Sequence, residues 1–247
     1  MTDPIDSLRE QIDAVDAELL DLIARRLQLS AKVREAKRSG KSGARVWRPS
    51  REEALVRDLV EASTRSGEGV SPPLVSRIWA ELVSASLALQ GPMRLHVGLE
   101  GDKLRAWSLV RDRFGAALPT EIYPTTSTAL AQAYADPEGV AVVPSPGGMN
   151  NWWVALCPGG AMEDMKILTG LPRVRNADWP RDDWPRAVAV AQGEIVPSGA
   201  DRLLVVTEGE PRGTVRARSG GWTLADTREV EEGDHLIGIL PDPLPHE

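Results

Sequence analysis

The sequence predicts two parts of different fold class: an all-helical part over residues 1–91 and an α/β part over residues 92–247. Three observations carry the division. Apolar residues recur three and four positions apart through the first ninety residues, the spacing of a helix face. Gly91-Pro92 then ends the last helical stretch. Beyond it, short β-branched runs alternate with helical stretches, and from about residue 165 the pattern becomes strand-rich.

The elements follow in order. Asp3 and Pro4 mark a helix start, a capping acid followed by proline at the first helical position, and the helix is expected to run to about Arg38 and stop at Gly40. Its seam is Ile5, Leu8, Ile12, Val15, Leu19, Leu22, then Leu29, Val33 and Ala36. At ~1.5 Å per residue the helix is on the order of 50 Å long, more than one small domain buries by itself. "RPSREEALVRDLVEAS" begins a second helix, with Ser50 and Glu53 read as a capping box. "SPPLVSRIWAELVSASLALQGP" is a third, with Ser71 as cap and prolines in its first turn.

After Pro92, "RLHVGLEG" reads as a strand into a glycine turn and "DKLRAWSLVRDRFG" as a helix. "TEIYPTT" is a strand, "STALAQAYAD" a helix, and "GVAVVPSPGG" a strand and loop, an alternation that implies a partly parallel sheet. Further strands are expected in "MKILTGL", "RAVAVAQGE", "DRLLVVTEGE", "GTVRARSGG" and "DHLIGILPD", with "RNADWPRDDWPR" as an exposed, proline-broken loop.

Composition narrows the class. A hydrophobic fraction of 42% and a charged fraction of 26% belong to a soluble globular protein. No apolar run reaches the length of a membrane span, and the acidic start "MTDPIDSLRE" is not a secretory signal. The lone Cys157 excludes an internal disulfide framework and suits the cytoplasm; it reads as a small buried apolar residue, not a catalytic thiol. A net charge of −7 argues against general nucleic-acid binding. Yet from Lys32 to Arg51 the only acid is Glu35, so this stretch is a solvated surface, a nucleic-acid patch or the surround of a small polyanion.

The first helix has one anomaly. Position 26 of its seam should be apolar and is Arg26, a guanidinium that stays charged. Lys37, eleven residues on, differs from it by about 20° in azimuth and about 16 Å along the axis, so both heads can meet on a small guest. Arg9 has the same orientation to the seam as Lys37 but lies about 25 Å from Arg26 along the helix. An antiparallel second copy of the helix would bring it to the same place, and so long a seam asks for such a partner.

The other helices repeat the anomaly. On the third, Val75, Trp79 and Leu82 lead at helical spacing to Ser86 and Gln90. On the second, Arg51 and Glu52 occupy the first turn, beside Arg48. Bundled, these helices gather cations, one carboxylate, an amide and a hydroxyl into an apolar interior, which suits a small dianion or dicarboxylate. Blander readings compete residue by residue: Arg26 pairing with a buried acid to fix register, Ser86 bonding back to its own helix, Glu52 serving the helix dipole, Gln90 a frayed end. The combination is more specific than its members.

The segment from Leu8 to Gln90 resembles the all-helical class of chorismate mutases, often fused to prephenate dehydratases, in Arg9 of "LREQID", Arg26 of "LIARRLQLS", Lys37 of "VREAK", Arg51-Glu52 of "RPSREEALV", and Ser86 with Gln90 of "SASLALQ". That resemblance implies a three-helix intertwined homodimer that turns chorismate into prephenate without metal or cofactor. Arg26, and Arg9 from the other subunit, would bind the two substrate carboxylates; Lys37 and Gln90 would donate to the ether oxygen; Glu52 would hold the ring hydroxyl, with Arg51 and Ser86 completing the wall. Arg48 stands where some members carry Asp.

The second half resembles prephenate dehydratases more faintly, which implies a reduced periplasmic-binding-like, dehydratase-like lobe. "VGLEG" stands where that family opens with a Gly-Pro-Glu-Gly-Thr turn, but with Leu99 and Asp102 in place of Pro and Thr. Ser145-Pro146-Gly147 replaces a Glu-Asn-Ser motif and Pro185-Arg186-Ala187 a Thr-Arg-Phe motif. No dehydratase activity is therefore expected; the half braces the mutase dimer, senses an aromatic product or contacts another pathway enzyme. The rival readings for the whole chain are an isochorismate pyruvate-lyase and, from another class, a helical dimerisation module that binds nucleic acid.

Overall fold

The computed structural model describes residues 3–39, 47–65, 69–148, 150–175, 184–211 and 213–246. Three helices come first: α1 over Pro4–Ser39, α2 over Pro49–Arg65 and α3 over Pro72–Gln90. Asp3 accepts the Ile5 N–H at 3.0 Å, as a capping acid before Pro4 should. The capping expectations for the next two helices fail. Helix α2 starts at Pro49, with the Arg48 carbonyl accepting the Glu52 N–H at 3.3 Å, so Ser50 already lies in the first turn. Glu53 turns away from the helix end to two arginines. Ser71 precedes α3 without a side-chain cap bond; the two prolines at N1 and N2, which lack N–H groups, leave less there to cap.

The chain then builds β1 (Arg94–Val97), α4 (Lys103–Phe114), β2 (Thr120–Ile122), α5 (Thr126–Ala135) and β3 (Gly139–Pro144). A 3-10 turn at Trp152–Leu156 leads to β4 (Met165–Leu171), β5 (Ala187–Gln192), β6 (Asp201–Thr207), β7 (Thr214–Ser219), β8 (Trp222–Thr227) and β9 (His235–Pro241). Among the described residues these strands form one mixed sheet in the order β2-β1-β3-β5-β4-β9-β6-β8-β7. Strand β1 is parallel to both its neighbours, as the βα alternation predicts, whereas β6, β7 and β8 form an antiparallel end.

Strand β8 was not expected from sequence. It pairs with β7 through a tight hairpin in which Ser219 faces Trp222 across Gly220 and Gly221, both at positive φ (61° and 84°). A two-residue turn of that hand needs glycine, so "SGG" was a hairpin signal. The expected exposed loop fails at its end: residues 176–183 lie outside the described residues, but Trp184 is buried, its Nε1 donating to the Pro172 carbonyl at 2.8 Å.

The central strands are covered on both faces, hence their unbroken apolar runs. Ala141, Val143, Val188 and Val190 point to a core with α5, Trp153 and Leu156. Val140, Val142, Ala187 and Ala189 point to the opposite core with α4, Phe114, Leu87 and Trp47. The helical part thus sits directly on the second face. Trp47 meets Phe114 with ring centroids 5.7 Å apart. Beside them Gly115 (φ 62°) passes so close to α3 that an added Cβ would lie 2.8 Å from the Ala80 carbonyl oxygen.

Helix α1 is the exception to this coverage. Ile5, Leu8, Ile12, Val15, Leu19 and Leu22 are each 51–60% exposed, and α1 reaches α3 through Arg26 and Ser30, in its second half. Among the described residues no helix is long and apolar enough to cross a membrane.

Candidate active site

A cavity of about 420 Å³ opens where α1, α2 and α3 meet. Its wall includes Arg26 from α1, Arg48, Arg51 and Glu52 from the start of α2, and Ser86 and Gln90 from the end of α3, with Leu29, Val33, Leu55 and Leu87 as the apolar remainder. Six residues singled out from sequence therefore share one cavity. Its size is that of a small-molecule site.

Arg26 is half-buried, and burial draws its pKa below the ordinary guanidinium value without neutralising it. Its Nη1 donates to the Leu82 carbonyl at 2.8 Å and to Ser86 Oγ at 2.7 Å. Both acceptors are neutral. Among the described residues Arg26 meets no carboxylate, and its Nε and Nη2 have no protein acceptor, so the register-fixing ion pair is excluded there. Ser86 Oγ donates to Leu82 O at 2.8 Å while accepting from Arg26 and from Ser30 Oγ at 3.0 Å. A hydroxyl has one proton, and Ser86 spends its own on the Leu82 carbonyl, so toward Arg26 it acts as an acceptor and orients the guanidinium. Ser30, which sequence reasoning did not name, shares its one hydroxyl proton between Ser86 Oγ and the Arg26 carbonyl, 3.1 Å away; its helical offset of four from Arg26 was the available signal.

Arg48 and Arg51 are exposed and line the cavity. Glu52 is buried, only 8% exposed. Its Oε2 accepts from Arg113 Nη1 of α4 at 3.1 Å. Glu53 beside it meets Arg113 Nη2 at 2.8 Å and Arg173 Nε at 3.1 Å. Desolvation outweighs the cations at Glu52 and raises its pKa; the two arginines outweigh desolvation at Glu53 and lower it. Sequence reasoning missed Arg113 altogether. The signal was present: Arg113 falls with Val110 and Phe114 on the buried stripe of α4, the same anomaly as Arg26 on α1.

Of the two remaining expected residues, one lies away from this cavity and the other has a side chain outside the described residues. Arg9 is exposed on the first turns of α1 and pairs with Asp6 at 3.2 Å. Lys37 belongs to the last turns of α1, its side chain outside the described residues.

The motif positions of the second half divide between two other cavities. Leu99, Asp102 and Arg186 line a crevice of about 790 Å³ at the carboxyl ends of β1, β3 and β4; Asp102 itself caps α4, accepting the Leu104 N–H at 2.9 Å. Ser145, Pro146 and Gly147 line one of about 690 Å³ with Arg202, Arg216 and Asp226. Cys157 is fully buried and its thiol is pushed up to about 11 by desolvation, as befits a packing residue.

Comparison with known proteins bears on the helices directly. Residues 8–91 match the family model described as chorismate mutase type II. Over 193 residues the chain is 28% identical to the T-protein of Enterobacter agglomerans, covering 71% of this chain and 48% of that protein. Over 138 residues it is 30% identical to a bifunctional chorismate mutase/prephenate dehydratase of Neisseria gonorrhoeae, covering 53% of this chain and 35% of that protein. The chain thus spans about half the length, or less, of these curated relatives. No solved structure matches. The match to the chorismate mutase type II model thus falls on the helices whose cavity is lined by Arg26, Arg48, Arg51, Glu52, Ser86 and Gln90, and the mixed sheet follows it in the chain.

Proposed function

We propose that the chain is an isomerase that converts chorismate to prephenate in aromatic amino-acid biosynthesis, with residues 1–91 as the mutase domain and residues 92–247 as an accessory domain. One observation carries the reading: a half-buried guanidinium, oriented by neutral acceptors, faces a cavity that also holds a carboxylate, an amide and two mouth arginines. An arginine left without a protein acid inside an apolar wall suits a guest that brings its own.

The chemistry fits these groups. The rearrangement is pericyclic, so it needs neither a nucleophile nor a proton transfer. Negative charge grows on the breaking ether oxygen, and fixed donors placed there, Lys37 and Gln90, each lower the barrier by about 3–4 kcal/mol in a dry site. Arg26 grips one substrate carboxylate, and Arg51 and Arg48 close the mouth. Glu52 accepts the ring hydroxyl. Holding both ends confines the flexible side chain to the reacting chair.

The second carboxylate is assigned to Arg9 of a second copy. Two α1 helices packed antiparallel would cover the uncovered seam from Ile5 to Leu22 and bring each Arg9 to the other chain's cavity. The accessory domain is read as a degenerate dehydratase relative without that activity, acting in the cytoplasm with its mutase partner domain. Incubating the purified chain with chorismate tests the main claim: absorbance should fall, and phenylpyruvate should form after acid treatment only. Salicylate from isochorismate would point to the lyase instead, and a sedimenting monomer would remove the Arg9 assignment.

A further inference from the structure

The mutase cavity is not closed by the helices alone. Glu52 lines it, yet the carboxylate is held from outside the mutase domain, by Arg113 of α4. Both side chains are deeply buried, at 10% and 1% exposure. Arg113 forks between two neighbouring acids, Nη1 to Glu52 at 3.1 Å and Nη2 to Glu53 at 2.8 Å. Arg173, just after β4, takes the far oxygen of Glu53 at 3.1 Å and Ser76 of α3 at 3.4 Å, and Thr169 of β4 donates to Glu53 at 3.4 Å. Two acids and two guanidiniums thus form a buried cluster that sums to neutral and spans the two domains.

We propose, resting on the mutase reading, that Arg113 is a positioning residue for the mutase site: it holds Glu52 as a charged acceptor whose free oxygen serves the substrate hydroxyl. The cluster is built for that division of labour. Among the described residues Glu53 has two arginines and a hydroxyl, whereas Glu52, which lines the cavity, has one arginine bond, through Oε2, so that Oε1 remains to serve as an acceptor. A buried carboxylate without a close cation takes up a proton and becomes a donor, the wrong partner for a hydroxyl that must donate. Among the described residues the other charged groups around Glu52 do not replace Arg113. Arg173 and Arg57 serve from the Glu53 side, Arg48 and Arg51 are exposed at the mouth, and Arg26 is turned to Ser86 and Leu82. The accessory domain therefore supplies part of the active-site wall.

The test uses the full chain with R113M, R113K, E52Q and the double variant E52Q/R113M. R113M is expected to lower kcat/KM for chorismate roughly tenfold to a hundredfold and to move the acid limb of its pH profile upward. R113K, which keeps the charge, should recover part of both. In the E52Q background R113M should have little further effect on kcat/KM, whereas an arginine that only braces the fold would multiply its loss. Independently of turnover, the Glu52 carboxyl carbon, identified by its disappearance in E52Q, should titrate at higher pH in R113K and R113M than in the parent chain. An unchanged titration, an unchanged pH profile or multiplicative losses would overturn the proposal. A parent chain without chorismate turnover would instead sink the mutase assignment, while the carbon titration still decides whether Arg113 keeps Glu52 charged.

Discussion

Two arginines occupy apolar stripes of this molecule, and their surroundings differ in kind. Arg26, between α1 and α3, binds a carbonyl and a hydroxyl and faces open space. Arg113, between α2 and the sheet, is 1% exposed and forks between two carboxylates. Among the described residues the first meets no carboxylate, whereas the second has its counter-charge built in. On the proposed function, the difference separates a ligand-binding group from one that organises its neighbours, although both look alike in sequence.

That contrast breaks most visibly under substitution. Arg113→Met leaves two buried acids sharing one arginine and should destabilise the chain by about 3–5 kcal/mol, read as a drop in denaturation midpoint. Arg26→Ala should leave that midpoint nearly unchanged, since its partners are neutral and it is half-exposed, while lowering kcat/KM about a hundredfold to a thousandfold. Equal stability losses in both variants would erase the distinction.

The paired glutamates sharpen it. Glu53 has its pKa lowered in the fold, so it contributes stability that is present above its unfolded pKa and lost as pH falls through the folded one. Glu52 has its pKa raised, so the folded state holds its proton more tightly, and its ionisation costs stability as pH rises through its unfolded pKa and levels off above the folded one. Glu53→Gln should therefore lower the denaturation midpoint at pH 7 more than Glu52→Gln does. The gap should narrow as pH falls below the ordinary carboxylate range and through the lowered folded pKa of Glu53. A smaller effect is expected at the α3–α4 junction. Gly115→Ala meets both positive φ and the Ala80 carbonyl, and should cost about 1–2 kcal/mol without changing KM for chorismate.

Much of this was legible in the residues. The three helices, the βα alternation and the cavity-lining set from Arg26 to Gln90 all follow from periodicity and its violations, because an ionised group in an apolar stripe needs a partner. What was not legible is tertiary. Nothing local says that Glu53 leaves the helix cap for Arg173, more than a hundred residues away, or that Trp184 turns inward beneath Arg202. Strand β8 had a local signal, the Gly220-Gly221 pair at the end of the expected strand before it, which marks a hairpin. Arg113 lay in plain view, but its stripe was read for helix formation alone.

The seam between helices and sheet has a practical consequence. Ala116 and Ala117 donate their N–H groups to Glu81 and Ser84 of α3, and Trp47 is packed on Phe114. Cutting the chain after Gly91 would strip water-shy surface from a tryptophan and leave Glu52 and Glu53 facing solvent without Arg113 and Arg173. Anyone grafting these helices onto another scaffold must carry helix α4 and its arginine along with them.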